Sequence, residues 1–147
     1  MTRSTDQAFE LAVLAHAEGR LQEAASHYEA VLQSQPEHPD ANYNLGLLAM
    51  SQGHAENALP FFVNAVTSNP NVEQYWFSYV ECLITLGKFK DAENMLTELR
   101  QAGASTTGIA DLEMLIRKAP SESGGAIRAK LSVSQRRKKV SNKKIRK

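Results

Sequence analysis

The side chains in this sequence that could hold a metal or act as base or nucleophile are His16, His27, His38, His54 and Cys82. A zinc site needs several such ligands close together. The histidine spacings are 11, 11 and 16, so no two share a helix face at i, i+3 or i+4. Cys82 is in phase with Leu14 and Leu48 and is expected to be a small core residue, the usual place of a free cysteine. The carboxylates are scattered over what read as solvated helix faces, without a base or nucleophile beside them. Gly124-Gly125 lacks the GK[ST] that follows in a phosphate loop. The expectation is a chain that is no enzyme and uses no metal and no cofactor.

The elements that carry these residues repeat. Gly19, Gly53 and Gly87 lie 34 residues apart, as do Ala24, Ala58 and Ala92. Tyr28, Phe62 and Leu96 share one phase, Leu11, Leu45 and Tyr79 another, and Phe9, Tyr43 and Phe77 a third. Pro36 and Pro70 agree, with Ala104 in the third position. Each residue type has a physical reason at its place. Glycine ends a helix where the chain must turn with positive φ. The alanine allows two helices of a hairpin to approach, and the large residue four places on fills the gap between them. Proline stops the second helix. Each unit is therefore a helical hairpin whose flank only a neighbour can bury. Ser4-x-x-Gln7 and Asn71-x-x-Gln74 read as capping boxes. Pro60 falls inside the fourth helix on its solvent side, where a slight bend is expected and no break.

This pattern resembles the tetratricopeptide repeat family, over three tandem units at 3–36, 37–70 and 71–104. In the second unit Leu45, Gly46, Gly53, Ala58, Phe62, Ala65 and Pro70 match the family pattern. The first has Ala8 and Ala12 at its usual aromatic and glycine positions. The third has Trp76, Val80 and Leu99 at the aromatic, glycine and alanine positions, which suggests wider spacing inside that hairpin. A further helix at 107–118 places Ile109, Leu112, Leu115 and Ile116 on one stripe. It reads as a cap with a polar outer face, or as half of a fourth unit. The expected fold class is all-α, a superhelical solenoid of about seven helices forming one domain over 1–118, followed by a disordered basic tail over 119–147.

The resemblance implies a concave groove lined by the first helix of each unit, and a function as a protein-binding scaffold. The family's groove positions fall on Phe9, Val13 and His16, on Tyr43, Leu47 and Met50, and on Phe77, Glu81 and Ile84. Family members that grip C-terminal carboxylates use Lys, Arg and Asn there, and these residues are not basic. The asparagine ladder of the O-linked N-acetylglucosamine transferases is matched by Asn44 alone, with Glu10 and Ser78 breaking the series. A mostly apolar lining favours an amphipathic helix or a hydrophobic peptide as partner. A second copy of the chain, the cap or the tail could cover it instead.

Charge separates body from tail. Residues 1–118 carry 7 Lys/Arg against 15 Asp/Glu, and residues 119–147 carry 10 against Glu122 alone. Arg136, Arg137, Lys138, Lys139, Lys143, Lys144, Arg146 and Lys147 are candidates for phosphates of nucleic acid or an anionic membrane surface. The tail also reads as an extended linker, or as a segment folding back on the acidic body. It further resembles the Lys-rich spacer that joins such arrays to a glycosyltransferase or sulfotransferase domain. The N-terminus reads as a poor secretory signal, no 18-residue apolar run occurs in the sequence, and a cytoplasmic setting is expected.

Overall fold

The computed structural model describes residues 4–119; the expected tail, with its basic residues, lies outside them apart from Ala119. Seven α-helices follow one another: α1 (Thr5–Ala17), α2 (Leu21–Ser34), α3 (Pro39–Ser51), α4 (Ala55–Ser68), α5 (Glu73–Thr85), α6 (Phe89–Gln101) and α7 (Thr106–Lys118). The starts of α1, α3 and α5 are 34 residues apart, and so are those of α2, α4 and α6. No strand occurs among the described residues. The chain groups into two compact units, with the boundary between Tyr79 and Val80 inside α5.

The turns explain the glycine period. Gly53 has φ +80°, and the next amide, that of His54, donates to the Ala49 carbonyl at 2.8 Å. This bond reaches back five residues and satisfies a carbonyl that the helix end leaves open. Gly19, Gly87 and Gly103 adopt the same conformation, and Arg20, Lys88 and Ala104 make the matching bond. Gly103 thus closes α6 by the device that the repeat uses inside its hairpins.

In the first compact unit, α1 presents a stripe of small residues, Ala8, Ala12 and Ala15, all buried. They pack in one cluster with Ala24, Tyr28 and Val31 of α2 and with Ala41, Leu45 and Leu48 of α3. Small side chains on α1 leave room for the Tyr28 ring between the helices. In the α3–α4 hairpin the division is sharper. A Cβ placed on Gly46 would lie 2.6 Å from the Phe62 ring, which is fully buried. A second cluster joins Ala65 and Val66 of α4 to Tyr75 of α5. Pro60 is exposed and α4 runs unbroken past it, since water can meet the carbonyl that lacks a partner.

Of the two capping boxes expected, one forms and one is corrected. The Ser4–Gln7 capping box forms, with both reciprocal bonds at 3.1 and 3.2 Å. The Asn71–Gln74 box does not. Helix α5 starts at Glu73, the Asn71 amide donates to the Asn69 side chain at 3.3 Å, and Gln74 faces Ser78. The Pro70 turn takes one residue more than the box allows.

In the second compact unit, α6 and α7 pack together, with Leu96, Leu99, Ile109 and Leu112 buried. Ile116 is half-buried, but Leu115 is exposed, as is Met114. The outer face of α7 is therefore not uniformly polar, as a simple cap requires. The reason lies in the register: Ile109, Leu112 and Ile116 turn to α6, and Leu115 sits to one side of that stripe.

Candidate functional site

The residues with chemical potential are dispersed by the fold, and three of the four histidines have a local partner. His38 caps α3, its Nδ1 accepting from the Ala41 amide at 3.1 Å, and its ring lies 4.9 Å from that of Phe9. His16 Nδ1 and the Tyr28 hydroxyl are 3.3 Å apart across the first hairpin. His27 faces Glu23 one turn back on α2, at 3.7 Å. His54 is the residue preceding α4. Arg20 pairs with both Glu18 and Glu23. Those two carboxylates hold its guanidinium charged, while the Arg20 bond keeps Glu23 below the usual carboxylate range. No group of three metal-ligating side chains occurs among the described residues. Cys82 is buried, and burial followed by the neighbouring Glu81 pushes its thiol up to about 11. A thiol so held is a packing group.

The groove positions of the first compact unit fall into two sets. Phe9, His16 and Tyr43 are half-buried and engaged with their own scaffold. Phe9 packs on the first core cluster, with its ring 5.9 Å from Tyr28. Tyr43 shares its hydroxyl with Ser78 Oγ at 3.0 Å and stacks 4.7 Å from Tyr75. The second set is freer: Val13 is exposed, and Asn44, Leu47, Met50 and Phe77 are half-buried. In the second compact unit Glu81 is exposed and Ile84 is half-buried.

The seam between α3 and α5 inside the first compact unit is polar as well as aromatic. Besides the Tyr43–Ser78 bond, the Tyr75 hydroxyl donates to the Asp40 carboxylate. Burial first, and this bond second, raise the Tyr75 hydroxyl well above its ordinary range. Burial likewise pushes Tyr28 up to about 12.

One buried polar residue was not singled out by the sequence. Asn42 is buried, and its amide nitrogen donates to the carbonyls of Pro36 and His38 at 3.1 and 3.0 Å, while its oxygen accepts from Asn64 at 3.3 Å. One unit later, at the same repeat position, the Trp76 indole N–H donates to the Pro70 carbonyl at 2.8 Å. Asparagine and tryptophan thus close the same carbonyl of the inter-unit turn. The available signal was a polar residue at a position that the repeat phase places inside.

Helix hairpins at this period, joined by positive-φ glycines, define a helical-repeat scaffold. Residues 17–99 match the family described as Anaphase-promoting complex, cyclosome, subunit 3, and the chain belongs to that family, its repeats being of the tetratricopeptide kind. It is 32% identical over 111 residues to "Cellulose synthase operon protein C" of Komagataeibacter xylinus, a match over 65% of this chain and 8% of that protein. The chain thus spans less than a tenth of the length of that relative. Among solved structures it resembles the TPR2B domain of yeast Sti1, in a complex with pHsp70, at TM-score 0.66 and 14% identity, covering 78% of this chain and 94% of that one. It also resembles the Yersinia enterocolitica type III secretion chaperone SycD, in complex with a peptide of the translocator YopD, at TM-score 0.64 and 17% identity, covering 90% and 96%. At these identities the structural likeness establishes the fold. No described helix is long and apolar enough to cross a membrane.

Proposed function

We propose that the protein is a peptide-binding scaffold whose contact face lies on the first helices α1 and α3 and the start of α5. The carrying observation is that Val13 is exposed while Leu47, Met50 and Phe77, at the family's groove positions, keep part of their surface in solvent. Phe9, His16 and Tyr43 act as a rigid backing, since their rings are held by Tyr28, His38, Tyr75 and Ser78. Asn44, half-buried beside them, supplies an amide for the partner's backbone. Partly solvated apolar side chains on a rigid support suit an amphipathic helix or an extended apolar peptide. The solved relatives that carry pHsp70 and YopD peptides support this reading at the level of the fold.

The test is selection of peptides from a display library, followed by titration of the best binder. Val13→Glu and Leu47→Glu should weaken it at least about tenfold, the effect of about 1.4 kcal/mol. Glu56→Ala and Val63→Glu, at exposed sites on α4, should leave it unchanged. Equal losses from all four would sink the proposal.

A second reading is favoured by the small share of the Komagataeibacter protein that the chain matches. Here the repeats serve as one segment of a much longer protein and select partners for an activity carried elsewhere in it, as in the arm of a glycosyltransferase or sulfotransferase. The intact mass of the native protein, detected by an antibody to residues 4–118, decides between them. A mass far above that of 147 residues is the result this second reading expects.

A further inference from the structure

Charge is unevenly divided over the described residues. Residues 4–79 hold nine Asp/Glu, all exposed, against Arg20 as their one Lys or Arg. Arg20 is itself engaged by Glu18 and Glu23. Residues 80–119 hold six Asp/Glu against five Lys/Arg, close to balance. The excess negative charge therefore belongs to the first compact unit, which also carries the contact face on α1 and α3. Those two helices hold Asp6, Glu10 and Asp40 and no Lys or Arg. Asp6 and Asp40 share one repeat position, 34 residues apart. Asp6 precedes Phe9 by three residues and Val13 by seven, and Asp40 precedes Tyr43 and Leu47 by the same steps. Spacings of three and seven return to one helix face, so each carboxylate shares the face of the groove positions on its own helix. The helix dipole favours a carboxylate in a first turn, which accounts for where Asp6 and Asp40 stand. It does not account for the lack of any base on the same two helices. The Tyr75 hydroxyl holds one oxygen of Asp40, and Asp40 stays exposed.

We propose that this face takes a cationic amphipathic segment of a partner protein. Its apolar side chains lie on Val13, Leu47, Met50 and Phe77, and its Lys or Arg side chains lie beside them at Asp6 and Asp40. The inference rests on the peptide-binding reading above and names the class of peptide. Apolar burial supplies the affinity, while opposite charge selects the partner and speeds its arrival. A neutral segment with the same apolar pattern gains no such help, and an acidic one is repelled. The sign is the reverse of what a carboxylate ligand needs.

The full chain is titrated with three labelled synthetic peptides and read by fluorescence anisotropy. The peptides share one set of leucines at helical spacing and carry Lys, Gln or Glu between them. At about 0.1 M salt the lysine probe should bind at least about tenfold tighter than the glutamine probe, with the glutamate probe weakest. At about 1 M salt the three should converge. Asp6→Asn with Asp40→Asn should bring the lysine probe down to the glutamine probe and leave the latter unchanged, since asparagine keeps an acceptor for Tyr75. Asp6→Lys alone, at an exposed site, should strengthen the glutamate probe several-fold. Glu29→Gln and Glu56→Gln, exposed on α2 and α4, remove the same charge elsewhere and should keep the order. Three probes that bind alike, each lost on Leu47→Gln, overturn the proposal and leave the groove reading standing. A lysine probe indifferent to Leu47→Gln, or to the paired Asp changes, also overturns it, as adhesion to an acidic surface at large. So does a chain that takes the lysine probe only after Arg136→Gln, Arg137→Gln, Lys138→Gln and Lys139→Gln, because its own basic run is then the occupant. Failure of every probe, with or without those four changes, removes the groove reading and this inference with it.

Discussion

At the scale of single residues, two exchanges of volume and chemistry run through the repeat. One pairs a small residue on the first helix with a large one on the second: Ala12 with Tyr28, Gly46 with Phe62, Val80 with Leu96, all buried. Where the first partner is Gly or Ala the second is a ring, and where it is Val the second is the aliphatic Leu96. Gly46→Ala should therefore destabilise the fold by about 1–3 kcal/mol, since the added methyl meets a ring that cannot yield. Phe62→Leu in the same chain should recover part of that loss, and a double-mutant cycle in urea measures the coupling. The second exchange is Asn42 for tryptophan at the inter-unit turn. Asn42→Leu should cost about 1–3 kcal/mol, because the Pro36 carbonyl loses the side-chain donor that Asn42 supplies from a buried position, while the His38 carbonyl keeps the Asn42 backbone amide. Asn44→Leu, half-buried and outside that network, is the control. Cys82 adds a pH effect with a definite sign. Its thiol rises from 9.0 to about 11 on folding, so the folded chain holds a proton that the unfolded chain releases. The stability this represents is complete below pH 9.0 and disappears as pH climbs through about 11. A thiol reagent at neutral pH should label Cys82 slowly in the native protein and fast in denaturant.

At the scale of elements, α3 and the start of α5 are joined by directed bonds as well as by packing. Tyr75→Phe keeps the ring stack on Tyr43 and removes only the bond to Asp40. A loss of about 1.5 kcal/mol is expected, as for a hydrogen bond to a charged acceptor, and thermal unfolding reads it. Helix α7 is an element whose type its apolar spacing marks, with Ile109 and Leu112 buried as that spacing requires and Met114 and Leu115 exposed.

At the scale of the whole molecule, a repeat array stabilises each unit through its neighbours, and a defect spreads mainly to the nearest ones. Leu96→Ala in α6 should cost about 2–5 kcal/mol. Hydrogen exchange should then rise across α6 and α7, in the second compact unit, while α1 and α2 stay protected. Uniform loss of protection would mean that the two compact units unfold as one. The acidic body has no counterpart among the described residues to the basic run beyond residue 119, so the binding face on α1 and α3 can be tested separately from any anion binding by that run.

The 34-residue period, the helix count and the hairpin turns were legible in the sequence, because glycine, alanine and the large residues answer to local backbone demands. A positive φ admits glycine wherever it recurs, and a close helix crossing admits only a small side chain. Three features needed the tertiary structure. The partner of Asn42 is visible only in the fold, where its amide nitrogen faces the Pro36 carbonyl. That the rings of Phe9, His16 and Tyr43, expected at the groove from the resemblance, also engage scaffold residues is visible only in the fold. Leu14 reads as core by phase, yet it is exposed, since burial is set by which neighbour stands opposite and period alone does not specify one.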